Sequence, residues 1–193
     1  MAQNNIGRRL KVLVIGGSAG SLRVVMRFLP LLRPNLDIAI IVVLHRKKTG
    51  DELLTEILAS KSVLPVKEAE EKEPLLPGTV YIAPADYHLL IENDHTLSLD
   101  ASEKVNFSRP SIDISIESAA YVFGDSLVCL LLSGANTDGV TGMKIARSLG
   151  ATIAIQAPDS AEMATMPYGA YISMEIDRIL MPDEMAVFIN NLP

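Results

Sequence analysis

Two stretches of this chain, residues 10–15 and 38–44, are apolar at every position but Lys11, and a segment of helical periodicity follows each. A strand with one face in water alternates apolar and polar residues, whereas one that does not alternate is covered on both faces. After the first run, Leu22, Val25, Met26 and Leu29 recur at helical spacing, with Arg23 and Arg27 on the other side. After the second, Gly50-Asp51 precedes Leu53, Leu54, Ile57 and Leu58 on one helical face. This alternation predicts an α/β fold: a doubly wound, mainly parallel sheet with helices on both faces. More strands are expected at residues 63–67, 79–83, 127–132, 152–155 and 178–180. Helices are expected to carry Ile112, Ile116, Ala119, Ala120 and Phe123, to span residues 140–149, and to follow Pro182 with Met185, Phe188 and Ile189 facing in.

The middle of the chain breaks that rhythm. Leu89, Ile91, Leu97 and Leu99 flank Asn93-Asp94 as a β-hairpin, either an edge insertion or a rim that shapes a binding cleft, and the acidic residues 68–73 read as a solvated loop. No linker or repeat interrupts the 193 residues, so a single domain over residues 8–193 is expected, with residues 1–7 as a flexible N-terminus. Cys129 is the one cysteine, which rules out an intrachain disulfide and is compatible with a reducing compartment. No apolar run approaches the ~18 residues a membrane span needs, so direct membrane insertion is not expected. The net charge of −6 argues against nucleic-acid binding, which needs clustered Lys and Arg. The expected setting is the cytoplasm.

At the end of the first run stands Gly16-Gly17-Ser18-Ala19-Gly20, a serine in a glycine-rich strand-to-helix bend. The following helix aims its unpaired N–H groups at whatever that serine attacks. Serine is a weak nucleophile until a base takes its proton, and imidazole does so near neutral pH. A carboxylate on the far ring nitrogen fixes the tautomer and steadies the imidazolium. His45 ends the second run, and Asp138 lies in a glycine-bracketed turn after residues 127–132. Loops leaving the C-terminal ends of parallel strands open on one edge, so wide separation in sequence does not keep these residues apart.

Each residue also has a duller reading. Small residues in such a turn serve packing or phosphate binding. A lone histidine is often structural, and His88 and His95 compete with His45. Asp138 is placed to cap a helix starting at Val140. The G-x-S-x-G elbow of α/β-hydrolases matches residues 16–20, but that class orders its residues Ser, acid, His and places the serine well inside the chain. No register of residues 15–21 supplies G-x-G-x-x-G; a Rossmann-type nucleotide site is the runner-up from the residues alone.

Taken together, the motifs resemble those of the chemotaxis methylesterase catalytic domain, the effector half of the CheB response regulators. They are Val14-Ile15-Gly16-Gly17-Ser18-Ala19-Gly20, the histidine ending the second strand, and Leu76-Pro77-Gly78-Thr79-Val80-Tyr81-Ile82-Ala83-Pro84. They continue with Arg109-Pro110-Ser111-Ile112-Asp113, Leu132-Ser133-Gly134-Ala135-Asn136-Thr137-Asp138-Gly139, Gly142-Met143 and Met166-Pro167. The resemblance spans nearly the whole chain. It implies a protein-glutamate methylesterase that hydrolyses γ-glutamyl methyl esters on the signalling helices of methyl-accepting chemoreceptors, and that deamidates glutamines by the same acyl chemistry.

In this chain it places the nucleophile on Ser18, the base on His45 and the orienting acid on Asp138, with oxyanion donors near Ala19 and the Gly134-Ala135 turn and no cofactor or metal. Arg46, Lys47 and Lys48 have two readings, an ordinary solvated loop or a cluster that steers the acidic receptor helices into the cleft. Only nine residues precede Leu10, too few for the receiver domain such proteins usually carry, so the expected enzyme is either controlled by a separate receiver or kinase protein or constitutively open. The alternative from another class is a non-catalytic interaction module that binds receptor or kinase helices. Three neighbourhoods depart from the family pattern. Ala19-Gly20-Ser21 stands for Thr-Gly-Gly, Ala135 for a methionine between glycines, and Leu44-His45-Arg46-Lys47 for Gln-His-Met-Pro.

Overall fold

The computed structural model describes residues 10–46 and 53–192. Its elements run β1 (Lys11–Gly17), α1 (Ser21–Phe28), β2 (Ile38–Leu44), α2 (Leu54–Lys61), β3 (Val66–Glu68), β4 (Val80–Ile82), β5 (His88–Ile91) and β6 (Leu97–Asp100). They continue with α3 (Ile112–Phe123), β7 (Leu127–Leu131), α4 (Val140–Ser148), β8 (Thr152–Gln156), α5 (Thr165–Tyr171), β9 (Arg178–Leu180) and α6 (Met185–Asn190). Seven strands form one sheet in the order β3–β4–β2–β1–β7–β8–β9, and each pairing in it is parallel. The remaining two, β5 and β6, form the antiparallel hairpin.

The absence of alternation in the strands has the expected cause. Val12, Val14, Ile41 and Val43 face a core completed by α3, α4 and the hairpin, including Ile116, Phe123, Met143 and Leu89. Their neighbours Leu13, Ile15, Ile40 and Val42 face a second core completed by Val25, Phe28, Leu58 and Ile189. Successive side chains of one strand therefore enter different cores, and both must be apolar.

The edges were less legible. In α2 the buried face is only Leu54 and Leu58, while Leu53 and Ile57 are largely exposed, because this helix covers the edge of the sheet rather than its centre. The strand expected at residues 63–67 is the three-residue β3, which pairs only where β4 runs beside it; Val63 is left in solvent. The acidic stretch is more than a solvated loop. Lys72 N–H donates to the Leu97 carbonyl, Leu97 N–H to that of Glu73, and Leu99 N–H to the Glu71 carboxylate, so the segment runs alongside β6. Helix α5 was not anticipated; it is seven residues long with Pro167 among them, too short for a periodic signal.

From β1 the chain crosses to β2 on one side and later returns to β7 on the other. The crevice beyond the C-terminal ends of β1, β2 and β7 is thus the switch point at which open α/β sheets bind their ligands. One glycine makes the entry to α1 feasible. Gly20 has φ +83°, and a Cβ there would lie 2.6 Å from Glu162 Cβ and 2.9 Å from Ser133 Oγ. Gly20→Ala is expected to destabilise the fold by about 1–3 kcal/mol, read from the urea midpoint, since both the dihedral and the contact are refused to a side chain.

Candidate active site

Three strand ends are stitched together at the switch point. His45 N–H donates to the Gly17 carbonyl (3.1 Å), and Ser18 N–H to the Ser133 carbonyl (2.9 Å). Ser133 Oγ donates to the Ala19 carbonyl (2.7 Å), while the Ser133 amide is held by the buried side-chain oxygen of Gln156 (3.0 Å). The Ser21 hydroxyl closes the bend by donating to the Ser18 carbonyl. The turn carrying Ser18 is therefore fixed from both neighbouring strands, and the backbone of His45 is hydrogen-bonded to the residue immediately before the serine.

Asp138 does not cap the helix that follows it. Gly139, with φ +94°, stands at the N-terminus of α4, and no side chain caps that helix. The carboxylate turns instead to the start of α3. Its Oδ1 accepts from Ser111 Oγ (2.9 Å), Asn106 Nδ2 (2.9 Å) and Asp113 N–H (3.2 Å), and its Oδ2 from Ile112 N–H (2.7 Å) and His45 Nε2–H (2.7 Å). A fully buried anion is tolerable here because its lone pairs meet a helix N-terminus whose N–H groups have no partner inside the helix. Burial pushes this carboxyl up, but hydrogen bonds from His45, Asn106, Ile112 and Asp113 outweigh it and hold the pKa at about 2. Asp113, beside it, goes the other way. Burial, with the charge of Asp138 added to it, raises it by more than the hydrogen bonds from Gly142 N–H and Asn106 lower it.

The ionised Asp138 holds Nε2–H, so the lone pair of His45 is on Nδ1. The hydroxyl of Ser108 lies 3.3 Å from that nitrogen. Among the described residues no hydrogen bond joins the Ser18 hydroxyl to the ring. The structure thus joins His45 to Asp138 directly and brings Ser18 to the adjoining strand end. His88 is a structural residue: its Nε2–H donates to the Glu103 carbonyl (2.9 Å), and its Nδ1 accepts Ser111 N–H (3.1 Å). His95 stacks near Phe123, with ring centroids 5.0 Å apart. Cys129 is buried, which pushes its thiol up and keeps it out of nucleophilic chemistry.

Of the expected oxyanion donors, Gly134 is withdrawn, because its N–H is spent on the Met163 carbonyl (2.9 Å). The N–H groups of Ala19 and Ala135 are unpaired among the described residues, and both residues are exposed. Arg46 is no free steering charge. Its guanidinium pairs with Glu68 (3.0 Å) and donates to the Ala83 carbonyl (3.0 Å), and only 5% of its side chain is exposed. Lys47 and Lys48 lie outside the described residues. Asn106, Ser108, Ser111 and Asp113 went unrecognised as parts of the site. Ser111 was visible as a helix start, but nothing local tells which distant carboxylate a helix start will hold.

The family model described as CheB methylesterase matches residues 13–189. The chain belongs to the CheB methylesterase family. The crystal structure of the CheB methylesterase catalytic domain from Thermotoga maritima has a TM-score of 0.92 to this chain at 31% identity, covering 96% of it and 100% of that domain. A Leptospira interrogans protein, provisionally named protein-glutamate methylesterase/protein-glutamine glutaminase, is 41% identical over 176 residues, 91% of each chain. The Thermotoga maritima protein-glutamate methylesterase/protein-glutamine glutaminase is 34% identical over 160 residues, which are 81% of this chain and 46% of that longer protein. The parallel sheet described above is thus the α/β fold of the CheB catalytic domain. Among the described residues no helix is long and apolar enough to cross a membrane.

Proposed function

We propose that this protein is a serine hydrolase that removes methyl esters from glutamyl side chains of chemoreceptors, with Ser18 as nucleophile, His45 as base and Asp138 as the acid that orients it. The single observation carrying this reading is the His45–Asp138 pair: a 2.7 Å hydrogen bond to a fully buried carboxylate, at the strand end adjoining the Ser18 turn. Membership of a family whose named relatives are protein-glutamate methylesterases and protein-glutamine glutaminases supplies the substrate class. The CheB family acts on chemoreceptors, and the same acyl chemistry serves a glutaminyl amide.

The reaction is a two-step acyl transfer. Ser18 Oγ attacks the ester carbonyl as its proton passes to Nδ1 of His45, and Asp138 steadies the imidazolium through Nε2–H. The oxygen of the tetrahedral intermediate takes up the charge, and the unpaired N–H groups of Ala19 and Ala135 are the donors available to it. Collapse breaks the bond to methoxide, which takes the proton back from Nδ1 and leaves as methanol. Water, deprotonated by the same nitrogen, then cleaves the acyl-enzyme to glutamate. For the first step Ser18 must replace Ser108 as the partner of Nδ1; hydrogen bonds of this kind are often loose without substrate and tighten in the Michaelis complex.

The test is direct. Fragments of receptor signalling helices carrying γ-methyl glutamate should release methanol, and a fluorophosphonate should label Ser18. No methanol, together with a label on another residue or on none, overturns the assignment.

A further inference from the structure

We propose that Phe107 selects the substrate: its ring seats an apolar side chain that stands one helical turn from the glutamyl ester. The inference rests on the esterase reading and specifies what must flank the modified residue. Val105 and Ser108 pair antiparallel, with N–H to carbonyl distances of 3.2 and 2.9 Å, around a two-residue turn. Both central residues have positive φ, +50° at Asn106 and +63° at Phe107. Such turns favour Asn followed by Gly. Asn106 suits its place, whereas an aromatic residue in the left-handed region is uncommon. The chain has put a large ring where glycine would sit most easily, and the ring is 98% exposed. It contributes nothing to either core.

The turn is pinned on both sides of that ring by the catalytic pair. Asn106 Nδ2 donates to Asp113 Oδ2 (2.8 Å) and Asp138 Oδ1 (2.9 Å), and Ser108 Oγ lies 3.3 Å from Nδ1 of His45. Phe107 is therefore one Cα step, about 3.8 Å, from the residue that faces the base nitrogen. Whatever covers the ring lies at the mouth of the reaction site.

A glutamyl ester on a helix brings neighbours with it. Residues three and four positions away share its face, about 5–6 Å off between Cβ atoms. When the ester carbonyl reaches Ser18, one of them rests on the rim. An apolar side chain there takes the ring out of water, while a short polar one leaves it exposed. The occupant is thus a helix with an apolar residue one turn from its modified glutamate.

The experiment is a cycle of two peptides and two proteins. Helical peptides carrying one γ-methyl glutamate, with Leu or Ser at the positions three and four away, are offered to wild type and to Phe107→Asn, a residue that accepts positive φ. Wild type should prefer the Leu peptide about tenfold in kcat/KM, carried by KM, and Phe107→Asn should reduce the preference to within about twofold. Phe107→Leu, which keeps an apolar side chain, should restore it. The affinities of Ser18→Ala and Ser18→Ala/Phe107→Asn for the same peptides, by fluorescence anisotropy, read the contact without turnover. Absent methanol with a Phe107-dependent preference in binding would overturn the esterase reading and leave the contact standing. An equal preference with and without Phe107, in both turnover and binding, overturns the contact.

Discussion

Ser18→Ala is expected to lower methanol release from methylated receptor helices by about 10⁶-fold, the cost of removing the nucleophile if the proposed assignment holds. The size of the effect depends on there being no substitute, and the neighbouring hydroxyls are otherwise engaged. Ser21 donates to the Ser18 carbonyl, and Ser133 to the Ala19 carbonyl. Among the described residues Ser108 is the one serine at hydrogen-bonding distance from Nδ1 of His45, yet it belongs to the 105–108 turn and not to the strand-to-helix bend where Ala19 offers its unpaired N–H. The measurement pairs methanol release with mass mapping of a fluorophosphonate adduct. A variant that keeps more than about one part in a hundred of the rate, with the adduct moved to Ser108, would transfer the nucleophile to the 105–108 turn; a full loss with no adduct leaves it on Ser18.

What could be read from the sequence follows the range over which the physics acts. The sheet was legible because a strand between two cores must be apolar at every position, and β1 and β2 write that constraint into consecutive residues. The edge strand β3 was blurred, since an edge strand needs apolar residues only where its one neighbour runs. The placing of Ser18, His45 and Asp138 along one edge of the sheet was legible because parallel strands deliver their C-terminal loops to a common side. The carboxylate's surroundings were not. Asp138 before Gly139 looks locally like the cap of α4, and only the packing of α3 against β1 and β7 redirects it to Ser111, Ile112 and Asp113. In the same way Arg46 reads as a solvated charge beside Lys47, until β3 brings Glu68 against it. Gly134 reads as a free amide until the segment before α5 supplies the Met163 carbonyl.

Asp138→Asn is expected to lower kcat by about 10³–10⁴-fold with a smaller change in KM, because a carboxamide no longer obliges Nε2 to carry the proton and the lone pair leaves Nδ1. The same substitution carries a stability signature that a purely catalytic residue would lack. The folded pKa of about 2 lies below the ordinary 3.8, so the ionised carboxylate favours the folded state. That contribution is complete above about pH 5 and fades as pH falls through 4 toward 2; linkage puts it at about 2 kcal/mol. Asp113 works with the opposite sign. Its raised pKa means that its ionisation opposes folding and that acid relieves it, which offsets part of the loss in the wild type. The informative quantity is therefore the difference in urea stability between wild type and Asp138→Asn, in which the part of the Asp113 shift caused by burial cancels and only its repulsion by the Asp138 charge remains. It should be large at pH 7 and shrink steadily below pH 4. A difference as large at pH 2.5 as at pH 7 would mean that the donors of α3 hold the shape of this side chain rather than its charge. The reason for placing an anion at that helix terminus, a permanently ionised partner for His45, would then fail with it.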